Sequence, residues 1–196
     1  MEARSTLSAY LDLFAKWNRI YNLTSIRDRT QMDALHVEDA LAVLPWLPSR
    51  SGVRLLDVGS GGGVPGIPLA IARPDWHVVL VEANAKKAAF LRQCAIELSL
   101  ANVHVEASRI EDYASKPAFD VVISRAFSNL ATFARLARAH LASNGVIAAM
   151  KGAMPHEEIA ALPDDVVVTG VPALNVPGID AERHLVLMQL KGAPAP

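Results

Sequence analysis

The stretch that decides the fold is Leu55-Leu56-Asp57-Val58-Gly59-Ser60-Gly61-Gly62-Gly63-Val64-Pro65-Gly66. It has the form of a buried strand that runs into a glycine-rich turn and then into a helix. Glycines in such a turn let the backbone approach a ligand closely, because a Cβ would stand between them. The stretch therefore predicts a cofactor-binding loop at the end of a strand.

Downstream of Gly52, short apolar runs alternate with stretches of helical character. The runs are Val53–Val58, His77–Val81, Val103–Val105, Val121–Ile123 and Val146–Met150. This alternation is typical of parallel strands joined by helices, so the sequence predicts an α/β, Rossmann-like fold. Val166–Val168 and His184–Leu190 predict two further strands, which pair antiparallel at one edge of the sheet.

Upstream of the glycine stretch, the sequence predicts helices. Apolar residues recur at helical spacing over residues 5–21, and Thr30 with Asp33 has the spacing of a capping box for a second helix that ends before Pro45. We therefore expect a helical N-terminal segment (1–50) packed on a core (51–191), followed by a disordered tail (192–196).

Composition limits the possible functions. The 196 residues are 52% hydrophobic and carry a net charge of −1, which excludes binding to nucleic acid by overall charge alone. Residues 1–151 hold 17 basic and 14 acidic side chains, whereas 152–196 hold 2 and 6, so an anionic partner should meet the first part of the chain. The single cysteine excludes a disulfide framework, and we expect no metal site. No secretory signal or apolar span is evident, which predicts a cytoplasmic protein without membrane contact.

Two cofactors compete for the glycine loop. Gly61, Gly63 and Gly66 satisfy the G-x-G-x-x-G pattern of dinucleotide binding. Read from Asp57, however, the string is D-x-G-x-G-x-G, which resembles the first motif of class I S-adenosylmethionine-dependent methyltransferases. A carboxylate there favours an amine and a sulfonium and repels a pyrophosphate, so we favour S-adenosylmethionine, with S-adenosylhomocysteine as the product. Glu82, at the end of the next strand, can accept both ribose hydroxyls of either nucleotide.

A third segment follows the third predicted strand. In Ser108-Arg109-Ile110-Glu111-Asp112, Ile110 is a candidate to cover an adenine face and Glu111 to accept its amino group. Ser108 and Glu111 also have capping-box spacing, which predicts the start of a short helix. The two interpretations are compatible.

Segments spread over nearly the whole chain together resemble the RsmG (GidB) family, the bacterial 16S rRNA guanine-N7 methyltransferases. They include Trp17-Asn18, Tyr21-Asn22-Leu23-Thr24, Arg27-Asp28, His36 with Asp39, Val58-Gly59 through Pro65-Gly66-Ile67-Pro68-Leu69, Lys86/Lys87 to Phe90-Leu91-Arg92, Ser124-Arg125-Ala126-Phe127, Lys151-Gly152, Val176-Pro177-Gly178 and Glu182-Arg183-His184-Leu185.

The resemblance implies a class I methyltransferase core: a mainly parallel seven-stranded sheet with helices on both faces, the last strand antiparallel, and a small helical N-terminal extension. It implies cofactor contacts at Gly59, Val64, Ile110, Glu111 and Arg125, with Glu82 at the ribose, where the family usually has Asp. With the loop residues, the predicted cofactor set is Asp57, Gly59, Gly61, Gly63, Val64, Glu82, Ile110, Glu111 and Arg125.

The missing motifs fit methylation of a guanine N7. This atom has an in-plane lone pair and no hydrogen, so its methylation needs no general base. Enzymes that methylate exocyclic amines carry Asn/Asp-Pro-Pro-aromatic where this chain has Ser124-Arg125-Ala126-Phe127. Cys94 lies on the predicted core face of a helix, unlike the exposed nucleophile of cytosine-C5 enzymes. A small-molecule methyltransferase and an NAD-dependent oxidoreductase remain the alternatives.

The remaining predictions concern the substrate. Arg125 is a candidate for positioning through the cofactor carboxylate, an RNA phosphate or guanine O6, and otherwise a partner for Asp57 or Glu111. We assign no certain catalytic residue, and none to His36 or His184. We expect a monomer that acts on 16S rRNA in the small ribosomal subunit or an assembly intermediate. The predicted RNA-binding residues are Arg27, Lys86, Lys87, Arg92 and Lys151.

Overall fold

The computed structural model describes residues 2–114, 117–125, 127 and 129–192. Ala126, within one of the family-like segments, and residues 193–196 of the predicted tail lie outside these residues. The strands are β1 (Arg54–Val58), β2 (His77–Val81), β3 (Val103–Glu106), β4 (Phe119–Arg125), β5 (Leu141–Lys151), β6 (Val166–Gly170) and β7 (His184–Leu190). The helices are α1 (Glu2–Tyr21), α2 (Arg29–Met32), α3 (Asp39–Leu41), α4 (Gly66–Ala72), α5 (Ala85–Glu97), α6 (Leu130–Ala137) and α7 (His156–Ala160).

The seven strands form one sheet in the order β3-β2-β1-β4-β5-β7-β6. Strands β1 to β5 pair in parallel, and β7 runs antiparallel to both β5 and β6. The predicted Rossmann-like fold and the antiparallel final pair are therefore confirmed. Because β7 inserts between β5 and β6, β6 alone forms that edge.

Both faces of the sheet are buried, which explains why the central strands are continuously apolar. Successive side chains of a strand point to opposite faces, so Leu55 joins the cluster under α1, α4 and α5, while Leu56 joins the cluster under α6. The carboxyl ends of the parallel strands remain open, and this is where ligands bind in sheets of this kind.

The predicted first helix is confirmed and begins three residues earlier than expected, at Glu2. Its apolar face packs on the core: Tyr10, Leu11 and Phe14 are buried in the same cluster as α4 and α5. The rings of Phe14 and Phe90 meet edge to face at 5.6 Å. The division into a helical segment (1–50) and a core (51–191) stays a prediction.

The second helix is capped differently from the prediction. Asp28 is the N-cap, and its side chain accepts from the Gln31 amide at 2.8 Å, so the helix begins at Arg29 and the Thr30–Asp33 capping box is wrong. The helix passes through a π-helical stretch, Asp33–Glu38, before α3. No helix in the described part of the chain combines the length and apolar character that a bilayer crossing requires.

Candidate active site

The glycine loop connects β1 to α4 at the carboxyl end of the sheet. Gly59 has a φ of +70°, which glycine adopts without strain, and a Cβ built there meets nothing within 4 Å. The Gly59 and Ser60 amides donate to the Val81 carbonyl at 2.9 and 3.1 Å and hold the turn against β2. The loop therefore offers backbone beside open space, which fits a cofactor.

The next glycines are required by packing. A Cβ on Gly62 would lie 2.3 Å from Cε2 of Phe14, and a Cβ on Gly66 would lie 2.2 Å from Cδ2 of Leu80. The hydroxyl of Tyr10 donates to the Gly62 carbonyl at 2.6 Å. Helix α1 therefore forms the back of the loop, a role for Tyr10 and Phe14 that sequence reasoning missed.

Asp57 is completely buried beneath the loop. Its Oδ2 accepts from the Gly66 amide at 3.0 Å, and Oδ1 has no partner among the described residues. Burial raises the pKa of Asp57 from 3.8 to about 7, against the opposing effect of the Gly66 N–H. The carboxyl group thus anchors the start of α4. Its predicted attraction for a cationic ligand stays a prediction.

Glu82 joins the glycine loop to the start of α5. Its Oε2 accepts from the Gly61 amide at 2.8 Å, and its Oε1 accepts from the Asn84 amide at 2.7 Å. Each carboxylate oxygen has a further lone pair, so the group can accept ribose hydroxyls while both amide bonds persist. This arrangement fits the predicted role of Glu82.

A cleft of about 240 Å³ opens beside the loop. Gly59, Glu82, Ile110 and Glu111 all line it, as does Phe127. The structure therefore brings together four of the predicted cofactor residues from three loops. Gly61 and Gly63 adopt φ of +57° and +90° in the loop itself, and Val64 is buried behind it.

The predicted cap at Ser108 is wrong. The short helix Ile110–Asp112 has Arg109 at its N-cap without a side-chain hydrogen bond, and the Ser108 Oγ is buried without a partner among the described residues. The helix starts one residue later than the capping-box spacing requires, so Ser108 does not occupy the N-cap position.

Arg125, at the end of β4, faces away from this cleft and lines a second cavity of about 380 Å³. Its Nη1 donates to the Leu35 carbonyl at 2.6 Å and lies 3.5 Å from Oδ2 of Asp39. The ion-pair partner is therefore Asp39 of the helical segment, and neither Asp57 nor Glu111. Contact between Arg125 and the cofactor stays a prediction.

Asp39 lies between two guanidinium groups. Nε of Arg183 approaches its Oδ1 at 3.4 Å, opposite Arg125. Burial raises the pKa of Asp39, and the two arginines oppose that rise. The neighbouring His36 ring is also buried, and burial with the nearby Arg125 lowers its pKa to about 4. Asp39 and Arg183 belong to the family-like segments, but the sequence does not predict that they cluster with Arg125.

The predicted RNA-binding residues fall into two groups. Lys151 is only 11% exposed, and its Nζ donates to the Glu158 carboxylate at 2.8 and 2.9 Å and to the Phe127 carbonyl at 3.0 Å. Its charge is therefore neutralised within the protein. Arg27, Lys86 and Arg92 are exposed and Lys87 is half-buried, and within the described structure these four form no ion pair with a carboxylate.

Cys94 is buried, and burial raises the pKa of its thiol. A neutral, inaccessible thiol is a poor nucleophile. The described residues contain no group of three or more His, Cys, Asp or Glu side chains placed to hold a metal ion.

Solved structures share this fold. TrmN from Thermus thermophilus superposes with a TM-score of 0.59 at 19% identity, covering 77% of this chain and 48% of that one. Coclaurine N-methyltransferase bound to N-methylheliamine and SAH gives a TM-score of 0.60 at 13% identity, covering 77% and 52%. The sheet order, the glycine loop and the carboxylate of Glu82 define a class I S-adenosylmethionine-dependent methyltransferase.

The chain belongs to the rRNA small subunit methyltransferase G (GidB) family, whose profile matches residues 3–186. The "Ribosomal RNA small subunit methyltransferase G" of Laribacter hongkongensis is 54% identical over 182 residues, 93% of this chain and 86% of the relative. The protein of the same name from Neisseria gonorrhoeae is 50% identical over 186 residues, which are 95% of this chain and 88% of the relative. Family membership settles the cofactor as S-adenosylmethionine and removes the dinucleotide alternative.

Proposed function

We propose that this chain transfers a methyl group from S-adenosylmethionine to N7 of a guanine in the 16S rRNA of the small ribosomal subunit. One observation carries the proposal: both cavities take lining residues from the end of β4. Phe127 lines the cleft, and Arg125, two residues earlier, lines the second cavity. We place the target base in the second cavity, from which it reaches the cofactor in the cleft across the end of this strand.

The lining of the second cavity suits a purine. Leu35, Met150 and Leu174 supply apolar surface, and the guanidinium groups of Arg125 and Arg183 supply fixed donors. Donors of this kind can bind guanine O6 and leave the N7 lone pair free. The arginines thus bind and orient the base, while the apolar side chains exclude water from it.

The cofactor, when bound, supplies an electrophilic methyl group. The chain contributes alignment of the two reactants, which is the main requirement of an in-line displacement. No proton has to leave N7, so the reaction needs no general base. The buried His36, whose pKa is lowered to about 4, stays neutral at physiological pH and is assigned to structure.

The unpaired cations support an RNA partner. Arg27, Lys86, Lys87 and Arg92 are available to phosphates, whereas Lys151 is committed to Glu158. A chain with a net charge of −1 binds RNA weakly by charge alone, so a shaped substrate is expected: the subunit or an assembly intermediate. We further propose that the chain acts as a monomer in the cytoplasm.

The test is to incubate the purified protein with isotopically labelled S-adenosylmethionine and small subunits that lack this family's modification. Label recovered as 7-methylguanosine in digested 16S rRNA is the expected result. Label in another nucleoside would overturn the N7 assignment. Cofactor binding without any label in RNA would overturn the rRNA substrate and leave the small-molecule alternative.

Two variants test, in the same assay, whether the second cavity binds the target base. Arg125→Lys keeps a charge but loses the planar donors, so we expect the rate of labelling to fall by at least about tenfold. Arg135→Ala removes an exposed cation from α6 and serves as the matched control. Equal rates for both variants would remove Arg125 from the proposed role.

A further inference from the structure

An aromatic and an aliphatic side chain stand exposed side by side at the end of α1. Ile20 is 71% exposed and Tyr21 is 39% exposed, although most large apolar side chains of the described structure are buried. Neither side chain takes part in the cleft or in the second cavity. The proposed reaction therefore leaves this surface without a role.

The surface lies at the cofactor end of the molecule. Ala3 of α1 and Leu98 beyond α5 line one groove, while Trp17 meets Phe90 at 5.6 Å, so α1 and α5 run antiparallel. The last turn of α1 therefore lies beside the first turn of α5. That turn begins three residues after Glu82, the residue assigned to the cofactor ribose.

The cations around this surface have no ion-pair partner in the described structure. Some arginines elsewhere face carboxylates, as Arg50 faces Asp120 at 2.7 Å and Arg73 faces Asp75 at 2.8 Å. At the junction of α1 and α5, the charged groups form no ion pair with the carboxylates of the described residues. These groups are Lys16, Arg19, Arg27, Lys86 and Lys87. Among the described residues, Arg27 bonds to two neutral groups, the Asn18 carbonyl and Asn22 Oδ1.

Tyr21 is held in place before any partner arrives. Its ring packs on Trp17 at 5.2 Å with 35° between the planes, and Trp17 in turn packs on the buried Phe90. A ring fixed in this way loses little conformational freedom on binding, which favours its use in recognition. Unpaired cations around a fixed exposed aromatic ring are the combination that binds single-stranded nucleic acid.

We infer that Tyr21 is a stacking platform for an unpaired base of the RNA substrate, flanked by Ile20, with Lys86 and Lys87 binding the adjoining phosphates. The inference rests on the proposed rRNA substrate and adds a contact outside the target-base cavity. RNA is favoured over a second copy of the chain or another protein because five cations around the ring have no ion-pair partner among the described residues. A nucleotide bound here is anchored close to the cofactor cleft.

The experiment compares Tyr21→Ala, Tyr21→Phe and Trp46→Ala in steady-state methylation of small ribosomal subunits. Trp46 is 49% exposed on the connection to β1, so it controls for the loss of an exposed aromatic ring. Tyr21→Ala is expected to raise KM for subunits about tenfold with kcat little changed, because stacking acts in binding. Tyr21→Phe keeps the ring and should match the wild type, as should Trp46→Ala.

Two measurements separate this inference from the proposed function. The affinity for S-adenosylhomocysteine, measured by calorimetry, should be the same for Tyr21→Ala and the wild type, which shows that the cofactor site is intact. Fluorescence anisotropy with a fluorescein-labelled oligoadenylate should show Tyr21→Ala binding about tenfold more weakly than the wild type. That binding loss would support the platform even if subunits proved not to be the substrate.

Three results would overturn the platform. One is an unchanged KM for subunits with Tyr21→Ala while the wild type methylates them normally. Another is a loss of kcat alone. The third is a wild-type protein that sediments as a dimer which Tyr21→Ala dissociates, since the surface would then be an interface between copies.

Discussion

Tyr10 and Gly62 are joined by a hydrogen bond of 2.6 Å, from the phenol hydroxyl of the first helix to a carbonyl of the cofactor loop. The donor is fully buried, and burial raises the pKa of Tyr10 well above 10, so the hydroxyl remains a donor at every physiological pH. The N-terminal helix is thus bonded directly to the glycine loop, although its residues lie behind the loop.

The Tyr10→Phe variant tests this link. It leaves the Gly62 carbonyl buried without its partner, which costs about 1–3 kcal/mol. We expect a lower free energy of unfolding and a weaker affinity for S-adenosylhomocysteine, measured by urea denaturation and calorimetry. Loss of stability with unchanged affinity would show that the bond supports the fold alone.

Gly62→Ala tests the contact with Phe14. The new Cβ would meet the buried ring at 2.3 Å, so either the helix or the loop must shift, at about 1–3 kcal/mol. Gly170→Ala is the matched control, because its Cβ would meet neighbours at 3.8 and 3.9 Å, which is ordinary contact. Thermal unfolding should separate the two variants, and equal midpoints would contradict the packing argument.

Glu82 can be tested by two substitutions. Glu82→Gln places an NH2 group against a backbone amide that donates, so one of the two loop bonds is lost together with the charge. We expect the affinity for S-adenosylhomocysteine to fall more than about tenfold. Glu82→Asp keeps the charge on a shorter side chain and should bind within several-fold of the wild type. A weaker affinity of Glu82→Asp than of Glu82→Gln for S-adenosylhomocysteine, measured by calorimetry, would contradict the assignment of the Glu82 carboxylate to the ribose.

The buried His36 is expected to lower the free energy of unfolding on mild acidification. Its pKa falls from 6.5 to about 4 on folding, so between these values the unfolded chain binds a proton that the folded chain does not. The contribution of His36 to the free energy of unfolding is complete above pH 6.5 and is lost as the pH falls toward 4, by up to about 3 kcal/mol. Asp57 and Asp39, whose pKa values burial raises, bind protons on folding over the same range and act in the opposite sense. The measurement is therefore the difference between His36→Gln and the wild type in urea denaturation at a series of pH values, and this difference should shrink as the pH falls from 6.5 toward 4. A difference that does not change with pH would contradict the assignment.

The glycine loop and the strands were predictable because their signals are local. Side-chain alternation, glycine clusters and capping residues act within a few positions of the chain. The same holds for the grouping of Glu82, Ile110 and Glu111, because the carboxyl ends of parallel strands meet at one edge. The family segments then identified the reaction.

The contacts that brace the site were not predictable in this way. Tyr10 bonds to a residue 52 positions away, and Arg125 bonds to Leu35 across 90 positions. Lys151 is neutralised by Glu158 of α7, whereas Lys86 forms no ion pair with a carboxylate of the described structure. Nothing in the local sequence distinguishes these two lysines. Charge pairing depends on packing between elements, so residue type alone does not separate a paired lysine from an unpaired one.

The place of β7 has a consequence for biosynthesis. The ribosome makes this strand after the other six, yet β7 pairs with β5 over five positions, from Ile147 with Met188 to Lys151 with His184. Until it emerges, β5 has an open edge, and β6 has no neighbour to join it to the sheet. An open edge is a site of mispairing during synthesis. The nascent chain therefore depends on its last strand to close the sheet. A polypeptide that ends before residue 184 would be prone to aggregation.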